Sequence, residues 1–153
     1  MTETPPSLEV VAGGCRCGSV RYTLSRNTLP LTYACHCLDC QTWTGGAFSQ
    51  QCLVPEDSFA VTGDLALFEL PGSKGKISYQ RICPTCHTRV FNTNSARPGV
   101  VAIRAGTFDR SHELDCVAHI WTARKQAWLV IPEGIPSWTG AAPGNELLRV
   151  LAM

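Results

Sequence analysis

A chain of 153 residues has the length of one domain, and 44% hydrophobic residues supply enough apolar surface for a sizeable core. Lys and Arg number 13 against 12 Asp and Glu, so the net charge is +1, and no clustered basic stretch offers a phosphate-binding surface; nucleic acid is excluded as an expected partner. No run approaches the ~18 apolar residues of a membrane span, and the polar, acidic N-terminus has no secretion-signal pattern, so a cytoplasmic protein without a membrane partner is expected.

Residues 1–9 read as a flexible N-terminal tail, although Leu8 to Ala12 already has the composition of a short strand. Gly13-Gly14 ends it, and a turn carrying Cys15 and Cys17 follows. Ser19 to Leu24 alternates with period two, which puts Val20, Tyr22 and Leu24 on one buried face. Leu31 to Ala34 leads into a second cysteine cluster, and Ala47 to Val54 leaves it as a longer strand. Phe59 to Val61, Leu65 to Leu70 and Lys76 to Ile82 are further strand candidates separated by Gly- and Pro-containing turns. Arg89 to Phe91 and Val100 to Ile103 follow, with a turn-rich stretch from Asn92 to Gly99 between them. No long segment has a helical period, and 10 Pro and 13 Gly are spread along the chain. The expectation is a single, mainly β domain of short strands over residues 10–140, with short helical turns at most and a C-terminal tail over 141–153.

The chain has 9 cysteines, and a reducing compartment excludes a disulfide framework as their ordinary explanation. Metal binding is the leading one, because closely spaced thiols converge readily on one ion. Zinc fits thiolates in tetrahedral geometry. Cys15 and Cys17 with Cys83 and Cys86 make one complete, structural set. Cys35, Cys37 and Cys40 are one thiolate short of a second, and an open fourth position is the mark of a catalytic zinc. Spacing alone also permits a zinc ribbon from Cys37/Cys40 and Cys83/Cys86, or a redox dithiol in one Cys-x-x-Cys. Neighbouring residues seldom point at one ion, so His36 reads as a neighbour of the second site. Cys52 and Cys116 read as small core residues.

In these residues the sequence resembles the glutathione-dependent formaldehyde-activating family, also called the CENP-V/GFA domain family. The resemblance is carried by Gly13 to Gly18, Val20 to Tyr22, Cys35 to Gln41 with Thr44-Gly45, Cys83 to Cys86, Val101 to Thr107 and His119 to Thr122. It implies a β-tent fold, a structural zinc at Cys15, Cys17, Cys83 and Cys86, and a catalytic zinc at Cys35, Cys37 and Cys40, hence two zinc ions per chain. The implied activity is that of a carbon-sulfur lyase, or thiol-aldehyde adduct synthase, joining glutathione to formaldehyde as S-(hydroxymethyl)glutathione. The alternative is a zinc-stapled binding module whose second metal is closed by His36, Cys52 or another residue, or the same chemistry on another thiol or aldehyde. His87 stands where the family's second knuckle commonly has glycine, so a strained backbone at positive φ is expected there. Arg81, Arg89, Arg97, Arg104 and Arg124 are possible partners of substrate carboxylates, with none singled out.

Overall fold

The structure, a computed structural model, describes residues 10–153. The expected N-terminal tail, residues 1–9, lies outside them. Ten strands dominate: β1 Val11–Gly14, β2 Arg21–Leu24, β3 Thr32–Cys35, β4 Ser49–Pro55, β5 Phe59–Thr62, β6 Ala66–Pro71, β7 Ile77–Ile82, β8 Arg89–Asn94, β9 Arg97–Arg104 and β10 Cys116–Ile120. Two short helices accompany them, α1 Leu38–Thr44 and α2 Glu146–Val150. No helix among the described residues is long and apolar enough to cross a membrane.

Period-two alternation explains how the sheets share residues. In β2, Tyr22 and Leu24 are buried and Arg21 and Thr23 exposed, as the sequence pattern requires of a strand with one solvated face. β2 pairs antiparallel with β1 and β5 in a small sheet. The large sheet runs β10-β3-β4-β9-β8-β7-β6 and is antiparallel except at β10 and β3. Its central strands β4 and β9 are apolar on both faces. Cys52, Val54, Val101 and Ile103 join Tyr22 and Leu24 in a core between the sheets, whereas Leu53 and Ala102 face a second core with Tyr33, Cys35, Ala118 and Ile120. A continuous apolar run such as Val100 to Ile103 is the sequence signature of a strand covered on both sides.

Three differences from the sequence reading have physical reasons. The turn-rich stretch Asn92 to Gly99 is mostly strand: β8 extends to Asn94 and β9 begins at Arg97, with register shifts accommodating the polar residues. Residues 141–153 carry α2, whose Leu147 is buried with Leu151 in the second core, so a helical i, i+4 pair anchors what reads as a tail. Cys52 is a core residue, but Cys116 is only half buried at the start of β10, its thiol directed to the Ala118 carbonyl.

Gly13 explains the double glycine before the first cysteine. A Cβ there would lie 2.3 Å from the Tyr22 hydroxyl and 2.4 Å from the Thr107 carbonyl oxygen. That hydroxyl is 2.8 Å from Thr107 Oγ1, which donates to the Arg104 carbonyl. A side-chain-free residue therefore lets β1 reach the segment after β9 and delivers Cys15 to its place.

Candidate metal centre

Two turns build the first thiol cluster. After β1, the Cys15 amide bonds the Val20 carbonyl and Gly18 turns at φ 81°, so Cys15 and Cys17 point the same way. After β7, the His87 amide bonds the Cys83 carbonyl at 2.9 Å, and His87 takes φ 63°, the left-handed conformation expected of the glycine it replaces. The four Sγ atoms of Cys15, Cys17, Cys83 and Cys86 all lie within 4.8 Å of one another. Cys15 and Cys17 Sγ are 3.5 Å apart, and Cys17 and Cys83 Sγ 3.8 Å. A tetrahedral ion with bonds of ~2.3 Å to sulfur has sulfur-sulfur edges of about 3.8 Å, so the donor set fits zinc in size as well as in kind. The Val20 amide donates to Cys15 Sγ at 3.3 Å and the Cys86 amide to Cys83 Sγ at 3.5 Å. The Thr88 hydroxyl, its amide and the Cys17 amide pull Cys86 down to about 5, and Cys15 falls to about 7 although its burial opposes this.

One strand-to-helix junction builds the second cluster. Cys35 ends β3, Cys37 caps α1 by accepting the Cys40 amide at 3.4 Å, and Cys40 lies in the helix's first turn. Gly45 closes the helix at φ 65°. Gln41 holds the junction, its Nε2 donating to the carbonyls of His36 at 2.7 Å and Arg124 at 2.8 Å. The three thiols converge to within 4.8 Å. Donation from Cys35 and then Cys40 drives Cys37 down to about 2, while its two neighbours are driven up, Cys40 to about 11. Ionised thiols this close oppose one another, and a divalent cation would offset that repulsion. That is the chemistry of a metal-ligating set, and zinc suits it.

The remaining candidates fall outside both clusters. His36 is fully buried and turned from the thiols' common point: its Nε2 lies 2.8 Å from His119 Nδ1, with the rings stacked at 5.1 Å. Burial first, and for His36 also the facing His119, holds both imidazoles below their ordinary range. Cys52 belongs to the inter-sheet core. Among the described residues neither one completes the second set, and no other His, Cys, Asp or Glu does so. A hollow of about 170 Å³ opens beside it instead, lined by Cys37, Asp39, Cys40, Gln80, Arg89 and Arg104 among others. The roomier hollow of about 550 Å³ lies over β2 and β5, away from every thiol, so size alone does not locate the site.

Sequence reading left this wall unassigned. A signal was present in Arg104: a basic residue ending the apolar run of a central strand is buried, and a buried cation requires a partner. Of the five arginines considered, the structure brings Arg89 and Arg104 to the hollow and places Arg97 in an adjoining one. Arg124 contributes its carbonyl to Gln41.

A comparison with curated proteins finds no significant match. Among solved structures, the crystal structure of a Rhodobacter sphaeroides protein, a structural-genomics target, superposes with a TM-score of 0.51 at 16% identity, covering 69% of this chain and 97% of that one, a likeness of fold. Residues 10–124 match the family described as glutathione-dependent formaldehyde-activating enzyme. That match spans both thiol clusters and most of the domain, and the chain belongs to this family.

Proposed function

We propose that the protein is a zinc-dependent thiol-aldehyde adduct synthase, a carbon-sulfur lyase in the reverse direction, acting on glutathione and formaldehyde. The observation that supports this most is the unfilled fourth corner of the Cys35, Cys37 and Cys40 set beside an open hollow, in contrast to the complete set at Cys15, Cys17, Cys83 and Cys86. A structural ion needs its corners filled by protein; a substrate ion needs one free. When bound there, zinc lowers the pKa of a thiol in its free corner from ~8.5, so that a thiolate is available at neutral pH.

The chain's own residues supply position. Cys35, Cys37 and Cys40 would hold the metal, and the Gln41 contacts fix the helix that carries two of them. In the reaction a carbon-sulfur bond forms between the thiolate and the aldehyde carbon. The thiol's proton leaves to solvent, the carbonyl π pair moves to oxygen, and that oxygen takes one proton back from solvent, giving the hydroxymethyl thioether with no net proton consumed. The test is exchange between free glutathione and its formaldehyde adduct, followed by NMR. Wild type exceeds the spontaneous rate and Cys37→Ser does not; equal rates for both at the uncatalysed value would end the assignment to this reaction.

A further inference from the structure

Arg104 is an unusual residue for its place. It is 9% exposed, its Nη2 donates to Gln80 Oε1 at 3.4 Å and to Asn92 Oδ1, and its Nε and Nη1 are buried with no hydrogen-bond partner. Arg89, on the adjacent strand β8, sits with its guanidinium carbon 4.7 Å from the Trp43 ring centre. Among the described residues no carboxylate is within ion-pair distance of either one, although Asp39 lines the same hollow. Ion pairs among the described residues, such as Arg21 with Asp109, Arg110 with Glu113 and Arg149 with Glu146, are on the surface. A buried cation is ordinarily paired, and Arg104, buried beside the half-exposed Arg89 with no carboxylate at ion-pair distance from either, leaves a place for an anion.

We infer that Arg89 and Arg104 form the wall of the substrate site that receives the anionic end of the thiol substrate. This rests on the thiol-binding role proposed for the three cysteines. Proximity supports it: Cys37, Cys40 and both arginines line one hollow of about 170 Å³, room for a few waters or for a short thiol acid. Backbone and side-chain amides prepare the wall further. Gln80 and Asn92 both also donate to Ser78 Oγ, at 2.6 and 3.0 Å, which turns their carbonyl oxygens toward Arg104 and fixes its guanidinium without neutralising it. Burial of Arg104, reinforced by the like charge of Arg89, lowers its proton affinity to about 9. An adjoining hollow of about 300 Å³ shares Gln51 and Asn92 with the first and adds Lys76 and Arg97, so the cationic surface extends beyond one carboxylate's reach.

The competing explanation is that the arginines only balance the charge of the thiolates, and the two differ in what they predict for a neutral thiol. Calorimetric titration of the metal-containing protein with 3-mercaptopropionate and with 2-mercaptoethanol separates them. Wild type binds the acid about ten to a hundred times more tightly, the range of a charged hydrogen bond. Arg89→Gln, at a half-exposed position that does not threaten folding, and Arg104→Gln both shrink that preference and leave 2-mercaptoethanol unchanged. Absence of a preference in wild type, its survival in Arg89→Gln, or equal weakening of both thiols overturns the inference. 3-(Methylthio)propionate keeps the carboxylate and lacks the thiol. It shifts the Arg89 and Arg104 side-chain NMR resonances even if the three cysteines hold no substrate sulfur, and unshifted resonances at saturating concentration also overturn the inference. Failure of both thiols to bind alongside that shift refutes the thiol role alone.

Discussion

The two thiol clusters use the same residue type at similar local spacing, yet the chain connects them differently. Cys17 and Cys83 are 66 residues apart, so an ion at the four-thiol cluster ties the turn after β1 to the turn after β7 and closes a long loop across the two sheets. Cys35, Cys37 and Cys40 come from one strand end and one helix turn, already placed by the β3–β10 pairing and by Gln41. An ion there joins nothing that the backbone has not joined. Loop-closing entropy therefore ties an ion at the first cluster to folding, whereas the thiols of the second are brought together without one. Surroundings differ in the same sense: Cys83 is fully buried in the inter-sheet core, while Cys37 and Cys40 line a hollow with two unpaired arginines.

The comparison is broken most directly by Cys83→Ser against Cys37→Ser. Opening the four-thiol cluster is expected to cost on the order of 5 kcal/mol or more, comparable with the whole stability of a small domain, so Cys83→Ser should be insoluble or unfolded at room temperature. Cys37→Ser should lose under about 2 kcal/mol and keep its fold. Thermal unfolding followed by circular dichroism distinguishes them, and equal melting temperatures contradict the division. Gly13→Ala sharpens the same contrast without touching a thiol. Its Cβ meets the Tyr22 hydroxyl and the Thr107 carbonyl, so we expect a loss of about 1 to 3 kcal/mol in denaturant unfolding with thiol binding at the second cluster unchanged.

Metal release should be stepwise. Thiolates must be deprotonated to hold zinc, so acid favours release at both clusters, and with three protein ligands the second should empty at higher pH and at lower chelator concentration than the first. A coloured zinc indicator should register two phases of one equivalent each. The smallest effect is expected at His87, exposed and at φ 63°. His87→Gly relieves left-handed strain but adds freedom to the unfolded chain, leaving a gain of a few tenths to about 1 kcal/mol. A melting temperature below that of wild type would show that the His87 side chain has a role the backbone argument omits.

Much of this was legible beforehand because it depends on local pattern. Alternation of Val20, Tyr22 and Leu24 gave β2 its buried face, and close spacing grouped the cysteines into turns. Which turns meet is a property of topology, so the ribbon alternative was open on spacing, and the 3.8 Å approach of Cys17 to Cys83 decides the geometry. The α1 helix is hidden by composition: its seven residues have no buried member, so no apolar stripe marks it, and a cysteine cap with a glycine stop replaces the usual signals. Pairing of His36 with His119 is equally nonlocal, because it follows from the parallel register of β3 and β10. Arg89 and Arg104 were visible only as residue types until the strand order put them on one wall.

Metal-edge X-ray absorption on protein loaded with cobalt at the second cluster measures whether its fourth position is open. With zinc retained at the first cluster, a cobalt shell of three sulfurs and a lighter donor is expected in the protein alone. Glutathione should convert it to four sulfurs, and S-methylglutathione, which cannot form a thiolate, should leave it unchanged. Four sulfurs before any addition, or a shell indifferent to glutathione, would show that the second cluster has no open position for a substrate thiol.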